Sequence, residues 1–213
     1  MSPAAIVAPG ATAPRATGRA PRTLLIACGA LAREVLALIA LNRWSHMDVT
    51  CLPAKLHNVP QRIPHAVRAK IRAGRKTHER VIVLYGDCGT GGLLDRVIEE
   101  EGVERIPGPH CYAFYRGVEA FLEEADADPT CFYLTDYLVR HFERLVIKGL
   151  GLDRHPELLP AYFGNYTTLV YLSQTLDPAL EHKAKAAALR LGLAYQHQQT
   201  GYGELASFMS KAG

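Results

Sequence analysis

Four of the five cysteines form two pairs with the same spacing. Cys28 and Cys51 are 23 residues apart, and Cys88 and Cys111 repeat that gap 60 residues further along the chain. Each pair begins where an apolar run leads through Cys-Gly into a helical pattern. Thiolates are soft ligands that favour zinc and iron–sulfur clusters, and four of them saturate either centre. The repeated spacing therefore predicts a metal site built from Cys28, Cys51, Cys88 and Cys111.

Two histidines could take the place of a thiolate in such a site. His110 is adjacent to Cys111, and His57 follows Cys51 by six residues. Two other interpretations stay open. Cysteine is among the most buried residue types, so these thiols could pack at strand ends without a ligand, or one of them could act alone as a nucleophile. The fifth cysteine, Cys131, begins a predicted strand on the opposite face, and we exclude it from the site.

A glycine-rich loop surrounds the third of these cysteines. Residues 85–92 read Tyr-Gly-Asp-Cys-Gly-Thr-Gly-Gly and connect a strongly apolar strand to a helix. Glycine lets the backbone approach a ligand, although it equally serves a tight turn. The N–H groups at a helix start favour an anion and lower the pKa of a nearby thiol. The predicted catalytic residues are Cys88 and Asp87, and those predicted to bind a small anionic ligand are Gly86, Gly89, Thr90, Gly91, Gly92 and Arg33.

Apolar runs alternate with amphipathic helical runs, which predicts an α/β protein. Strands are predicted at residues 24–28, 47–51, 80–85 and 104–106. Residues 136–148 read as one helix, and an aromatic turn at 162–166 either closes over a ligand or caps the core. We expect a three-layer fold with a largely parallel sheet, helices on both faces and internally duplicated strand–helix–strand units. Ligands bind beyond the carboxyl ends of such strands, where the four paired cysteines are expected.

Length and charge limit the classes of function. The 213-residue chain is long enough for a full core, and its formal charge of +3 equals the three arginines of the first 22 residues. The remainder carries 21 basic and 21 acidic side chains, so no nucleic-acid interface is expected. Residues 1–22, rich in alanine, proline, glycine and threonine, are predicted to form a disordered tail that precedes a single domain at residues 23–213.

The sequence gives no sign of a membrane segment or an oxidising compartment. No run approaches the roughly 20 apolar residues of a transmembrane helix, and the tail lacks the apolar core of a secretory signal. An acid-free start containing arginine also fits an organelle transit peptide. Five cysteines in a chain of this length favour free thiols or metal ligands over disulfides. We therefore expect a cytoplasmic protein.

Several short words in the chain resemble a bacterial and archaeal family. They are Ala-Cys-Gly-Ala-Leu-Ala-Arg-Glu (27–34), Leu-Pro-Ala-Lys-Leu-His-Asn (52–58), Leu-Tyr-Gly-Asp-Cys-Gly-Thr-Gly-Gly-Leu-Leu-Asp (84–95), Pro-Gly-Pro-His-Cys-Tyr (107–112) and Gly-Leu-Gly-Leu-Asp-Arg-His-Pro-Glu-Leu (149–158). The chain thus resembles the domain of unknown function 1638 family, which has no established activity. Its members are often encoded near corrinoid-dependent methyltransferase genes, including homologues of trimethylamine methyltransferase. The resemblance therefore implies corrinoid-linked methyl transfer, with a corrinoid protein or a methyltransferase as partner.

The leading hypothesis is an enzyme or accessory factor of corrinoid-linked one-carbon metabolism that binds zinc or an iron–sulfur cluster through its cysteines and His110. Zinc would act as a Lewis acid, whereas a cluster would transfer electrons. The first alternative is a metal-free enzyme in which Cys88 attacks an anionic small molecule. The second is a non-catalytic partner or chaperone of a corrinoid protein.

Overall fold

The computed structural model describes residues 20–213, with the backbone alone for residues 124–126. It confirms the α/β class and the parallel strands, but the described strands form two sheets rather than one. The predicted tail lies outside the described residues up to residue 19. At its end, Arg22 forms an ion pair with Asp48 at 2.9 Å. Among the helices of this part of the chain, none is long and apolar enough to cross a membrane.

The first sheet has four parallel strands in the order β2-β1-β3-β4. They are β1 (Thr23–Cys28), β2 (Met47–Leu52), β3 (Arg80–Leu84) and β4 (Glu104–Arg105). Thr23 pairs with Met47 on one side and with Arg80 on the other, so β1 and β3 are neighbours at the centre of the sheet. The chain leaves β1 toward one edge and leaves β3 toward the other. Such a reversal opens a crevice at the carboxyl ends of the two central strands.

The second sheet has three parallel strands that follow one another in sequence order. They are β5 (Cys131–Thr135), β6 (Thr168–Ser173) and β7 (Ala194–Gln199). Cys131 pairs with Thr168, and Thr168 pairs with Ala194. Because β5 starts a new sheet, its position relative to the first sheet could not be deduced from strand alternation alone.

Helices connect the strands of both sheets. In the described residues they are α1 (Ala32–Asn42), α2 (Ile63–Gly74), α3 (Leu93–Glu101), α4 (Ala113–Arg116), α5 (Val118–Ala127), α6 (Asp136–Arg140), α7 (Leu159–Phe163), α8 (Pro178–Leu191) and α9 (Gly203–Ala212). Crossovers that run in opposite directions with the same right hand place α1 and α2 on opposite faces of the first sheet. The side chain of Asp177 caps α8 by accepting hydrogen bonds from the N–H groups of Ala179 and Leu180.

Each sheet carries its own apolar core. Leu25 and Ile82 are fully buried in the first core, and Leu169 is fully buried in the second. Burying one such side chain stabilises the fold by about 1.5–3 kcal/mol. Helix α9 crosses back from the second sheet, since its Leu205 and Met209 are buried in the first core. This crossing connects the two halves of the chain.

The predicted strands of the first sheet agree with the observed ones to within one residue at each end. The single helix predicted over residues 136–148 is wrong, because α6 ends at Arg140 and a π-helical turn follows at Glu143–Ile147. The prediction also omits α9, although Leu205, Met209 and Ala212 recur there at helical spacing. The internal duplication stays a prediction from the sequence.

Candidate metal centre

Three cysteines and one histidine converge at the crevice between β1 and β3. Cys28 is the last residue of β1, and its Sγ accepts a hydrogen bond from the N–H of Ala30 at 3.4 Å. Cys88 follows β3 in the glycine-rich loop, and Cys111 follows β4. His57 belongs to a short 3-10 segment, Ala54–Asn58, that follows β2. All four side chains therefore come from the carboxyl ends of neighbouring parallel strands.

The donor atoms of this cluster lie at distances that suit a metal ion. Those of Cys28, His57 and Cys111 are all within 4.8 Å of one another. The Sγ atoms of Cys88 and Cys111 are 3.6 Å apart. Two thiolates on one tetrahedral zinc are about 3.8 Å apart when each Zn–S bond is about 2.3 Å. Cys88 is thus close enough to approach a metal that the other three residues hold.

The imidazole of His57 is already oriented as it would be in a metal complex. Its Nδ1 lies 2.9 Å from the carbonyl oxygen of Ala54 and donates a hydrogen bond to it. Its other nitrogen, Nε2, is then left for the sulfur atoms of Cys28 and Cys88. Metal-bound histidines usually donate the second ring N–H to a backbone carbonyl or a carboxylate, which fixes the tautomer.

Protons are unevenly distributed over the three thiols. Hydrogen bonds from Cys111, His110 and His57, against the effect of burial, lower the pKa of Cys88 to about 3. Cys111 and His57 likewise lower the pKa of Cys28 to about 5. The hydrogen-bonding contacts of Cys111 with Cys28 and Cys88, together with its burial, raise the pKa of Cys111 well above the usual thiol value. The cluster therefore contains thiolates, which are the form that binds a metal.

The same interactions act on His57. Burial alone would lower the pKa of the imidazole, but hydrogen bonds to Cys28 and Cys88 outweigh it and raise that pKa to about 10. Without a metal the imidazole is thus a cation between two thiolates. A divalent metal would replace the proton on Nε2 and the proton on Cys111.

A phenol and a close backbone contact complete the buried side of the cluster. Burial and the charge of Cys28 raise the pKa of Tyr85, whose hydroxyl has no partner of ordinary hydrogen-bond geometry among the described residues. A Cβ atom on Gly86 would lie 2.9 Å from the carbonyl carbon of His110 and 3.1 Å from the backbone nitrogen of Cys111. Glycine at position 86 therefore lets residues 110 and 111 approach the end of β3.

The opposite side of the cluster opens into a cavity of about 360 Å³. Cys88, Cys111 and His57 line it, whereas Cys28 lies behind them. Its other walls are aromatic and come from both halves of the chain. The aromatic lining residues are Tyr112, Tyr115, Phe132, Tyr133, Tyr137 and Tyr166. Among the described residues of the lining, Lys55 is the only lysine, arginine, aspartate or glutamate.

Cys51 does not join the cluster. In the parallel register Cys28 pairs with Leu52, and Cys51 pairs with Ala27. Successive side chains of a strand point to opposite faces, so Cys51 points away from Cys28. Its side chain is exposed, and burial of part of it, with the charge of Cys28, raises its pKa. The expected convergence of four thiols is therefore replaced by three thiols and one imidazole.

Cys131 lies closer to the site than expected. The sequence places it on an opposite face, but it lines the cavity together with Tyr133. The expectation is wrong because it assumes a single sheet, whereas β5 opens the second sheet and faces the crevice of the first. Its Sγ contacts the carboxylate of Asp128 at 3.4 Å, outside the cluster.

The glycine-rich loop does not leave its N–H groups free for an anion. The carboxylate of Asp87 accepts hydrogen bonds from the N–H groups of Gly91 and Gly92, at 3.1 and 2.9 Å, and from the hydroxyl of Thr90. A third N–H, that of Gly89, also contacts this carboxylate. Asp87 therefore stabilises the loop from within, and its predicted catalytic role is not supported by these contacts.

Of the remaining predicted site residues, some line the cavity and others lie outside it. His110 lines the cavity, stacks on the ring of Tyr112 at 4.9 Å and hydrogen-bonds Cys88. Arg33 is exposed on α1 and is not part of the lining. The aromatic turn at residues 162–166 contributes Tyr166 to the cavity wall.

The sequence between residues 51 and 209 matches a family model described as a protein of unknown function, DUF1638. The chain belongs to the DUF1638 family. The matched segment contains His57, Cys88 and Cys111, whereas Cys28 precedes it. No match was found among the curated proteins or among the solved structures. Membership of the DUF1638 family supplies no activity, so a function can be inferred only from the geometry and chemistry of the site.

Proposed function

We propose that this protein is a zinc enzyme whose metal is held by Cys28, His57 and Cys111. The observation that carries this proposal is the buried Cys/His/Cys group with donor atoms within 4.8 Å of one another. Two of these residues are held in place before any metal binds, because Cys28 caps a 3-10 turn and His57 is fixed by the Ala54 carbonyl. Preorganised donors of this kind lower the cost of binding.

The ligand set favours zinc over an iron–sulfur cluster. Clusters are held by cysteine thiolates in nearly all proteins, whereas zinc accepts mixed sets of sulfur and imidazole. Three protein ligands with an open fourth position are typical of catalytic zinc. The cavity lies on the side where the fourth position would be, and Cys88 lies beside it.

The cavity favours a small substrate without a strong negative charge. Among the described residues, Lys55 is the single cationic side chain of the lining besides histidine, and no arginine or free N–H cradle for an anion lines the cavity. Bound zinc would act as a Lewis acid that activates a substrate thiol or another nucleophile. Cys88 and His110 would then orient the substrate, since both line the cavity next to the three ligands.

A role in corrinoid-linked methyl transfer is the metabolic setting that we propose for this zinc site. It is supported by the family resemblance alone. A cavity of about 360 Å³ lies at the lower end of the range for drug-sized ligands. A corrinoid ring system would therefore have to be presented by a partner protein, and only the methyl acceptor or donor would enter the cavity.

Anaerobic purification followed by metal analysis tests the proposal. We expect a colourless protein with one zinc per chain, and Cys28→Ala should lose that zinc on dialysis. Cys51→Ala is the matched control, since it removes a thiol of β2 that lies outside the cluster, and it should keep full zinc occupancy. A coloured iron-containing protein, or zinc that survives in Cys28→Ala, would contradict the zinc site.

A second candidate function rests on Cys88. This residue has a φ of 50°, which is unusual for a side chain other than glycine, and its thiolate faces the cavity. It would act as a metal-free nucleophile on a small molecule in the cavity. Under this alternative Cys88→Ala abolishes activity while Cys28→Ala largely retains it, whereas the zinc proposal requires both Cys28 and His57. If Cys88→Ala loses zinc as readily as Cys28→Ala, the site is a closed structural centre instead.

A further inference from the structure

A second large concavity lies between the helices that pack on the second sheet, away from the cysteines. It is a groove of about 540 Å³ between α8 and the segment formed by α6 and the π-helical turn. Its lining contains four cationic side chains, two on each wall, and a single acidic one. The cations are Arg140, Arg144, Lys183 and Arg190, and the acid is Glu143. The lining therefore has a strong excess of positive charge.

Ion pairs among the described residues neutralise only part of this charge. Glu143 is paired with Arg190. The nitrogen atoms of Arg140 are 3.7 and 3.9 Å from the carboxylates of Asp177 and Asp136, which is beyond hydrogen-bond length. The Nε of Arg140 is buried and has no hydrogen-bond partner among the described residues. A buried N–H without a partner costs free energy, so the Arg140 guanidinium is incompletely satisfied by the described residues.

The apolar floor of the groove and the positive charge of its lining further restrict the class of ligand that it could bind. The floor is apolar and includes Val139, Phe142 and Ala187. His141 lies in the same wall, and burial, followed by the charges of Arg144, Arg33 and Arg140, lowers its pKa. A ligand for this groove would combine several negative charges with an apolar body.

The groove shares a wall with the metal-side cavity. Tyr137 and Val146 line the cavity, whereas residues 139–144, between them in sequence, line the groove. Arg144 lines the groove and hydrogen-bonds the hydroxyl of Tyr137. The π-helical turn that forms this wall belongs to a class of distortion that is frequent at functional sites.

We propose that this groove binds an organic phosphate. Guanidinium groups match phosphate oxygens in a two-pronged geometry, and two facing pairs of cations favour a multiply charged anion over a single carboxylate. The apolar floor would contact the organic part of the ligand. This proposal does not depend on zinc at the other site.

Isothermal titration with phenyl phosphate and with inorganic pyrophosphate, at constant ionic strength, tests the groove. We expect both to bind, and Arg144→Gln or Lys183→Gln to weaken binding by roughly ten-fold or more. Lys185→Gln is the matched control, because Lys185 lies on α8 but pairs with Glu181 outside the groove. Both tested side chains are exposed, so the variants should fold.

Three results would overturn the proposal. The first is no binding of either phosphate at millimolar concentration, and the second is an equal loss of binding in Lys185→Gln. The third is binding of phosphatidic acid vesicles or of poly-glutamate without binding of the soluble phosphates, which would make the groove a lipid or protein contact. Zinc-loaded and zinc-free protein should bind phenyl phosphate equally, so failure here leaves the zinc proposal unaffected.

Discussion

A histidine that donates one ring proton to a backbone carbonyl can offer only its other nitrogen to a metal. His57 does this with Ala54, and its second nitrogen lies among thiols of lowered pKa. Cys88 and Cys28 are thiolates before a metal arrives, and Cys111 retains the shared proton. Metal binding therefore needs little rearrangement of side chains, only the release of protons from Cys111 and His57.

Glu34 is a second residue whose charge the fold disfavours. It lies in α1 with 6% of its surface exposed, and its Oε2 has no hydrogen-bond partner among the described residues. Burial raises its pKa, the charge of Asp136 adds to that rise, and Arg140 and Arg33 offset it only in part. The folded protein therefore holds a proton on Glu34 more tightly than the unfolded chain does.

Glu34→Gln should stabilise the protein near neutral pH. Because the folded-state pKa is raised, the free energy of unfolding falls as pH rises above the unfolded value, and glutamine removes that loss. We expect Glu34→Gln to raise the free energy of unfolding at pH 7 and to give no gain near pH 4. Urea unfolding at the two pH values measures it, with the exposed Glu119→Gln as control. A loss of stability at pH 7 would contradict this reading of Glu34.

At the scale of secondary-structure elements, the two cysteine pairs have the same spacing in sequence but different positions relative to their strands. Cys28 ends β1 and Cys51 is the penultimate residue of β2, whereas Cys88 and Cys111 both lie beyond their strands. A shift of one residue in a strand turns a side chain to the other face, and a loop residue has no such constraint. The duplicated 23-residue gap therefore located the crevice but misplaced one of its four thiols.

Gly86, just beyond the end of β3, is the position where the metal site depends most on a close backbone contact. A Cβ at this position meets the backbone of His110 and Cys111, which cannot move aside as a flexible side chain would. We expect Gly86→Ala to weaken zinc binding by roughly ten-fold, the usual cost of misplacing a ligand. Gly192→Ala is the control, since it has a φ of 72° but open space around it, and should cost about 1 kcal/mol of stability without changing zinc affinity. Competition with a chromophoric chelator measures both, and unchanged affinity in Gly86→Ala would refute the close-contact argument.

Strand positions could be predicted because continuous apolar runs such as residues 81–84 have few alternatives in a chain of this kind. His57 could be named as a possible replacement for a thiolate, but its choice over His110 could not be predicted, because nothing in the sequence reveals that the 3-10 segment after β2 carries the His57 ring back toward Cys28. The aromatic cavity was also missed, apart from the turn containing Tyr166. Its walls come from two sheets, and a sequence pattern does not report how one sheet faces another.

At the scale of the whole molecule, the two sheets contribute different parts of the metal site and its cavity. The first sheet supplies the ligand cluster, and the second supplies much of the aromatic wall that faces it. Helix α9 buries Leu205 and Met209 in the first core after the chain has completed the second sheet. The cavity is therefore formed only when both halves of the chain have folded.

X-ray absorption at the zinc edge of the zinc-loaded protein measures the ligand set of the proposed site. We expect two sulfur ligands at about 2.3 Å and one nitrogen at about 2.0–2.1 Å, with the nitrogen signal lost in His57→Phe. A shell of oxygen ligands alone, four sulfurs without nitrogen, or a spectrum unchanged in His57→Phe would contradict it.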